Sequence, residues 1–181
     1  NAINGGMLSH SYLVSGPPGV GKSTLARRMA QALLCEATLD SESCRECRSC
    51  QQVDSGEAPD VECVAIGGVC DESSHRDHKT DGSTRIRICQ VRRLERMAYL
   101  TPFQADRRIF IIDTAEDLQT EAAHALLKTL EEPPSTVLIL LLTADADALL
   151  PTIRSRCQRV ILRPSPLEEL AAEIELRLGL T

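Results

Sequence analysis

Residues 16–23 read Gly-Pro-Pro-Gly-Val-Gly-Lys-Ser, the G-x-x-x-x-G-K-[ST] spacing of a loop that wraps phosphate groups. Glycines let backbone N–H groups close around an anion, and the N-terminus of a following helix adds partial positive charge. In this reading Lys22 reaches the outer phosphates of a nucleotide and Ser23 ligates Mg²⁺. Gly16, Pro17, Gly19, Val20, Gly21 and Thr24 complete the cradle. A glycine-rich turn without a ligand is the alternative. The chemistry also needs an acid at the end of a neighbouring buried strand to hold the Mg²⁺ shell, and "IFIID" supplies Asp113. Hydrolytic P-loop proteins often carry a Glu next, to orient the attacking water; this chain has Thr114. Glu116 either points at the site or complements a helix N-terminus, and the second role is favoured. Binding is therefore better supported than turnover.

Thr143 ends the run "VLILLLT", where a strand terminus faces a ligand crevice. It senses a γ-phosphate or caps the strand. Arg154, Arg156 and Arg159 surround the start of a last strand. An arginine at a subunit edge can complete a neighbour's phosphate site in trans. Ordinary surface charge is the alternative, and spacing does not choose.

A second chemistry follows at once. Cys35, Cys44, Cys47 and Cys50 form C-x8-C-x2-C-x2-C, enough thiolates for a closed tetrahedral zinc shell of the structural kind. The residues between them are polar and could not bury a core, so a metal is the organiser of this module. Clustered free or redox thiols are the alternative. Cys63, Cys89 and Cys157 fall on strands or helices and read as small buried side chains. Cys70, His75 and His78 have irregular spacing in a polar loop and read as solvated residues, with a second metal as the lesser alternative.

The elements that must hold these residues alternate. "SYLVS" (11–15), "VECVAI" (61–66), "RIFIID" (108–113), "VLILLLT" (137–143) and "QRVIL" (158–162) have strand length and composition. Helical spacing recurs over 22–34, 88–100 and 120–132; in the last, Ala123, Leu126, Leu127 and Leu130 share a face and Pro133 ends it. Such alternation predicts an α/β fold, a five-stranded parallel sheet with helices on both sides. Residues 67–84, "GGVCDESSHRDHKTDGST", read as a surface loop, and 166–178 as an amphipathic helix.

With 43% hydrophobic residues but two Phe, two Tyr and no Trp, the core must be aliphatic, and the composition argues against an aromatic platform for stacking bases. The formal net charge of −6 argues against a free-standing nucleic-acid binder. Eight cysteines would suggest disulfides in a secreted chain. A nucleotide loop instead implies a reducing compartment. No segment has the apolar length of a membrane span and no signal-peptide pattern is visible, so a cytoplasmic location is expected.

Taken together, "GGMLSHSYLVSGPPGVGKSTLARRMAQALLC", the four cysteines, "LLKTLEEPP" and "LLPTIRSRC" resemble bacterial clamp-loader subunits of the AAA+ class, over nearly the whole chain except 67–84. The resemblance is to the DNA polymerase III delta-prime type first and to gamma/tau as the close second. It implies a place in a five-subunit ring that opens a sliding clamp and sets it on primed DNA, with gamma/tau, delta, the clamp and primer-template DNA as partners. It implies ATP and Mg²⁺ at Lys22 and Ser23, Asp113 as the Walker B acid and Thr143 as sensor 1. Arg156 becomes an arginine finger aimed at an adjacent subunit, and Cys35, Cys44, Cys47 and Cys50 become zinc ligands. Gamma-type motors have Asp-Glu where this chain has Asp113-Thr114, which fits delta-prime and a weak ATPase of its own. Delta-prime subunits are often degenerate in the P-loop, which is intact here, so ATP binding stays open. Residues 1–163 would be the AAA+ domain, with the zinc module at 35–50, and 164–181 the start of a helical lid. Measured against the family the chain begins after the adenine-packing segment and stops before the lid and collar are complete, as a fragment would. A P-loop kinase would need acceptor-binding residues and a basic lid, neither of which is visible, and a zinc-dependent DNA-binding module is disfavoured by the acidic balance.

Overall fold

The computed structural model describes residues 8–37, 42–72, 78 and 82–165. Five strands run in parallel: β1 (Ser11–Ser15), β2 (Val61–Val64), β3 (Arg108–Ile112), β4 (Val137–Thr143) and β5 (Gln158–Ile161), in the order β2-β3-β4-β1-β5. Among the described residues five α-helices accompany them: α1 (Lys22–Leu34), α2 (Arg48–Ser55), α3 (Ile88–Ala98), α4 (Thr120–Glu131) and the short α5 (Pro151–Arg154).

The central strands are uninterrupted aliphatic runs because both faces are covered. Every residue of β4 is buried. Its alternation sorts two cores: Ile139 and Leu141 join Leu94, Phe110 and Leu126 on the α3/α4 side, while Leu138, Leu140 and Leu142 join Ala26, Ala30 and Val53 on the α1/α2 side. Edge strands β2 and β5 are shorter and partly exposed. In α4 the inward face is Ala122, Ala123, Leu126, Thr129 and Leu130, with Leu127 half-buried beside it. The chain order places the carboxyl ends of β1, β3 and β4 side by side, the crevice in which open parallel sheets bind ligands.

Four expectations need correction. Helix α2 follows directly on the cysteine cluster; its polar sequence hid it, since only Cys50 and Val53 face inward. A metal is therefore not the sole organiser of the cysteine module, because α2, which carries Cys50, packs Val53 into the main core and the Gln31 Nε2 amide donates to the Cys50 carbonyl at 2.9 Å. Cys63 is exposed rather than buried, since β2 is an edge strand with one open face. The loop at 67–84 is not wholly surface: His78 is only 4% exposed. His75 and the segment 166–181, which includes the expected lid helix, lie outside the described residues.

Candidate nucleotide site and metal centre

The loop between β1 and α1 is rooted on both sides. Gly16 N–H donates to the Thr143 carbonyl at 3.2 Å, and Leu162 N–H to the Ser15 carbonyl at 2.7 Å. A Cβ on Gly16 would stand 2.5 Å from the Leu162 carbonyl oxygen, so this turn accepts glycine alone. Gly21 enters α1 at φ 98°, in the left-handed region, and no side chain caps the helix, leaving its first N–H groups directed at the loop. Lys22 Nζ donates to the carbonyls of Gly16 at 2.7 Å and Pro17 at 3.0 Å, closing over the loop; a phosphate would take the place of these carbonyls.

Between this loop and the strand ends lies a cavity of about 440 Å³ walled by Lys22, Ser23, Asp113, Glu116 and Thr143. Gly19, Gly21 and Thr24 also line it, whereas Gly16, Pro17 and Val20 do not. Asp113 is fixed by its N–H on the Val64 carbonyl at 2.9 Å, and its Oδ1 accepts from Thr114 N–H at 3.0 Å. Thr114 holds φ 52°, a conformation a β-branched residue adopts only under constraint. The turn it makes opens a 3₁₀ segment (Ala115–Asp117), which carries Glu116 across to Ala144, whose N–H donates to Oε1 at 2.9 Å. Glu116 Oε2 is buried without a hydrogen-bond partner. Glu116 thus lies in the first turn of a helical segment, as expected, and also faces the cavity, which sequence reasoning did not favour. Thr143 caps its strand, its hydroxyl donating to the Asp145 carbonyl at 2.8 Å, and it also lines the cavity.

Arg156 stands apart from this cavity, exposed between α5 and β5. Its Nη1 donates to the Thr152 carbonyl at 2.8 Å and its Nη2 pairs with Glu131 at 2.6 Å, joining the "SRC" turn to the end of α4. Arg154 pairs with Asp147, and Arg159 is exposed on β5.

Cys35, at the end of α1, meets Cys44, Cys47 and Cys50 with all four sulfurs within 4.8 Å of one another. Cys35 Sγ lies 3.5 Å from Cys44 Sγ and 4.0 Å from Cys47 Sγ. A tetrahedral zinc–thiolate shell spaces its sulfurs by about 3.8 Å, so the set fits. Backbone N–H groups point at the sulfurs, Cys44 N at Cys35 Sγ (3.4 Å) and Cys47 N at Cys44 Sγ (3.3 Å), the outer bonding that orients metal ligands. Burial and the neighbouring Cys47 thiol push Cys50 up to about 12, while Cys35 is lowered against its own burial by N–H bonds from Cys44 and Ala37. A bound cation would reverse the Cys50 shift by holding the thiolate.

A parallel sheet of this order, with a glycine loop after β1 and an acid at the end of β3, defines a P-loop fold of the AAA+ type. Residues 1–166 match the family described as DNA polymerase III, delta subunit, and the chain belongs to that family of clamp-loader subunits. It is similar to DNA polymerase III subunit gamma of Buchnera aphidicola (34% identity over 157 residues, 87% of this chain and 39% of the relative). It is equally similar to subunit delta' of Pseudomonas aeruginosa (34% over 167 residues, 92% and 46%). Among solved structures, a DNA polymerase III gamma subunit-related protein of Thermotoga maritima aligns with a TM-score of 0.54 at 22% identity, covering 89% of this chain and 44% of that one. The RuvB Holliday junction branch migration motor of the same organism aligns with a TM-score of 0.54 at 17% identity, covering 99% and 46%. Both show the fold alone. The chain spans less than half the length of these relatives.

Proposed function

We propose that this chain is the nucleotide-binding part of a DNA polymerase III clamp-loader subunit of delta-prime type, acting in the cytoplasm with gamma/tau and delta partners to place a sliding clamp on primed DNA. ATP, when bound, supplies a phosphoryl group whose developing charge must be neutralised. Lys22 and the α1 N-terminus would hold its phosphates. Ser23 and Asp113 would carry Mg²⁺, and Thr143 would report the outer phosphate. Arg156 would serve a neighbouring subunit's ATP, its exposed position outside its own cavity being suited to work in trans. Cys35, Cys44, Cys47 and Cys50 would hold a structural zinc. Residues 1–163 form the AAA+ domain in this reading, and 164–181 begin a lid.

The observation that carries the reading is Thr114 beside Asp113: the chain keeps the binding groups and lacks the adjacent carboxylate that orients water. A gamma/tau-type motor is the second reading, favoured by the Glu116 carboxylate at the cavity wall. Full-length subunit assayed alone separates them. Delta-prime type predicts saturable binding of ATP with Mg²⁺, weakened at least tenfold by Lys22→Ala, and almost no phosphate release. Vigorous hydrolysis that Glu116→Gln abolishes would overturn this reading in favour of the motor.

A further inference from the structure

Cys70, His78 and Cys89 are irregularly spaced in sequence, yet their ligand atoms all lie within 4.8 Å of one another. His78 Nε2 is 3.1 Å from Cys70 Sγ and 3.3 Å from Cys89 Sγ. His78 is 4% exposed and Cys89 3%. From these positions we infer a second zinc site, separate from the four-cysteine cluster, in which Cys70, His78 and Cys89 clip the loop after β2 onto the first turn of α3.

The surroundings are built to present these ligands. Asp71, next to Cys70, is gripped by Arg93 and Arg96 of α3, and Arg93 also holds Glu62 of β2 at 2.7 Å. On the other side the Gln90 Nε2 amide donates to the Ala65 carbonyl at 2.7 Å, while Gln90 Oε1 accepts from Arg87 N–H at 2.9 Å and so caps α3. Gly68 runs so close beneath that a Cβ there would come within 2.8 Å of the same amide. The loop is thereby fixed to α3 on both sides of Cys70. Cys89 sits in the first turn of α3, and a cation bound there would hold its thiolate against the burial and the Cys70 thiol that push it up to about 11. Two thiolates and one imidazole suit zinc over harder cations. Two thiolates also neutralise Zn²⁺, so the buried site carries no net charge. A water would complete the tetrahedral shell.

The test is zinc content of the full-length protein, purified under reducing conditions without chelator, together with X-ray absorption at the zinc edge. The inference predicts about two zinc ions per chain and a mean of about three sulfurs per zinc, against about four if only the four-cysteine cluster is filled. Cys70→Ser with Cys89→Ser should halve the zinc and raise the mean sulfur count. Should that variant not fold, alkylation of the wild type decides: Cys70 and Cys89 should label at least tenfold faster after chelation. One zinc per chain, or two that survive the double substitution in a folded protein, would overturn the site, as would Cys70 and Cys89 labelling equally fast with and without chelator.

Discussion

Asp60 illustrates how a single side chain organises a segment that sequence patterns leave blank. Only 2% exposed, it accepts N–H bonds from Phe103, Gln104 and Ala105 at 2.6, 2.7 and 3.0 Å, and pairs with buried Arg108 at 3.4 Å. Burial raises its carboxyl pKa, but the three N–H bonds and Arg108 outweigh burial and hold it below the ordinary 3.8. A carboxylate with a depressed folded value contributes stability that is present above 3.8 and lost as pH falls through the folded value. Asp60→Ala should cost about 3–5 kcal/mol at neutral pH by stranding Arg108 and three N–H groups. In denaturant titrations the gap to wild type should narrow below pH 3.8; a gap that stays constant into acid would show that the charge is not what matters. Contacts of this kind join residues over forty positions apart and leave no mark in local spacing. Glu116 is a milder case: its place three residues after Asp113 is plain in the sequence, but its direction depends on the φ of Thr114. Lys22, Ser23 and Asp113 were legible because their motif is contiguous or ends a buried strand.

At the scale of elements, strands buried on both faces announced themselves. The run at 137–143 is strand over its whole predicted length, and the helix at 22–34 likewise. The edges were less legible: β2 ends at Val64 and α3 at Ala98, two residues short of their patterns in each case. Helix α2 escaped because eight mostly polar residues with two inward positions make no periodic signal. Its stability comes from α1, through the Gln31–Cys50 bond and Val53, and, in the proposed reading, from a metal held by Cys50. Metal removal should therefore lower the melting temperature and raise hydrogen exchange in Arg48–Ser55 and the end of α1, while β3 and β4 stay protected. Unchanged melting after verified metal loss would refute the structural role. The second cysteine group was only half legible: the sequence offered Cys70 and His78 as a lesser metal alternative but not Cys89, which lies on a helix whose meeting with the loop is set by Asp71, Arg93 and Arg96.

At the scale of the whole molecule, two features at opposite ends of the functional logic share one frame. The glycine-rich loop, Asp113 and Thr143 converge on one cavity. Arg156, held to Glu131, does not line it and has meaning in this account only beside another subunit. The measurement that tests this most directly is the DNA- and clamp-stimulated ATPase rate of a reconstituted complex carrying either wild-type full-length subunit or Arg156→Ala. A finger acting in trans predicts a fall of about 10³-fold or more at the neighbouring site with assembly intact. An unchanged rate in an intact complex would contradict the account and leave Arg156 as surface charge paired with Glu131.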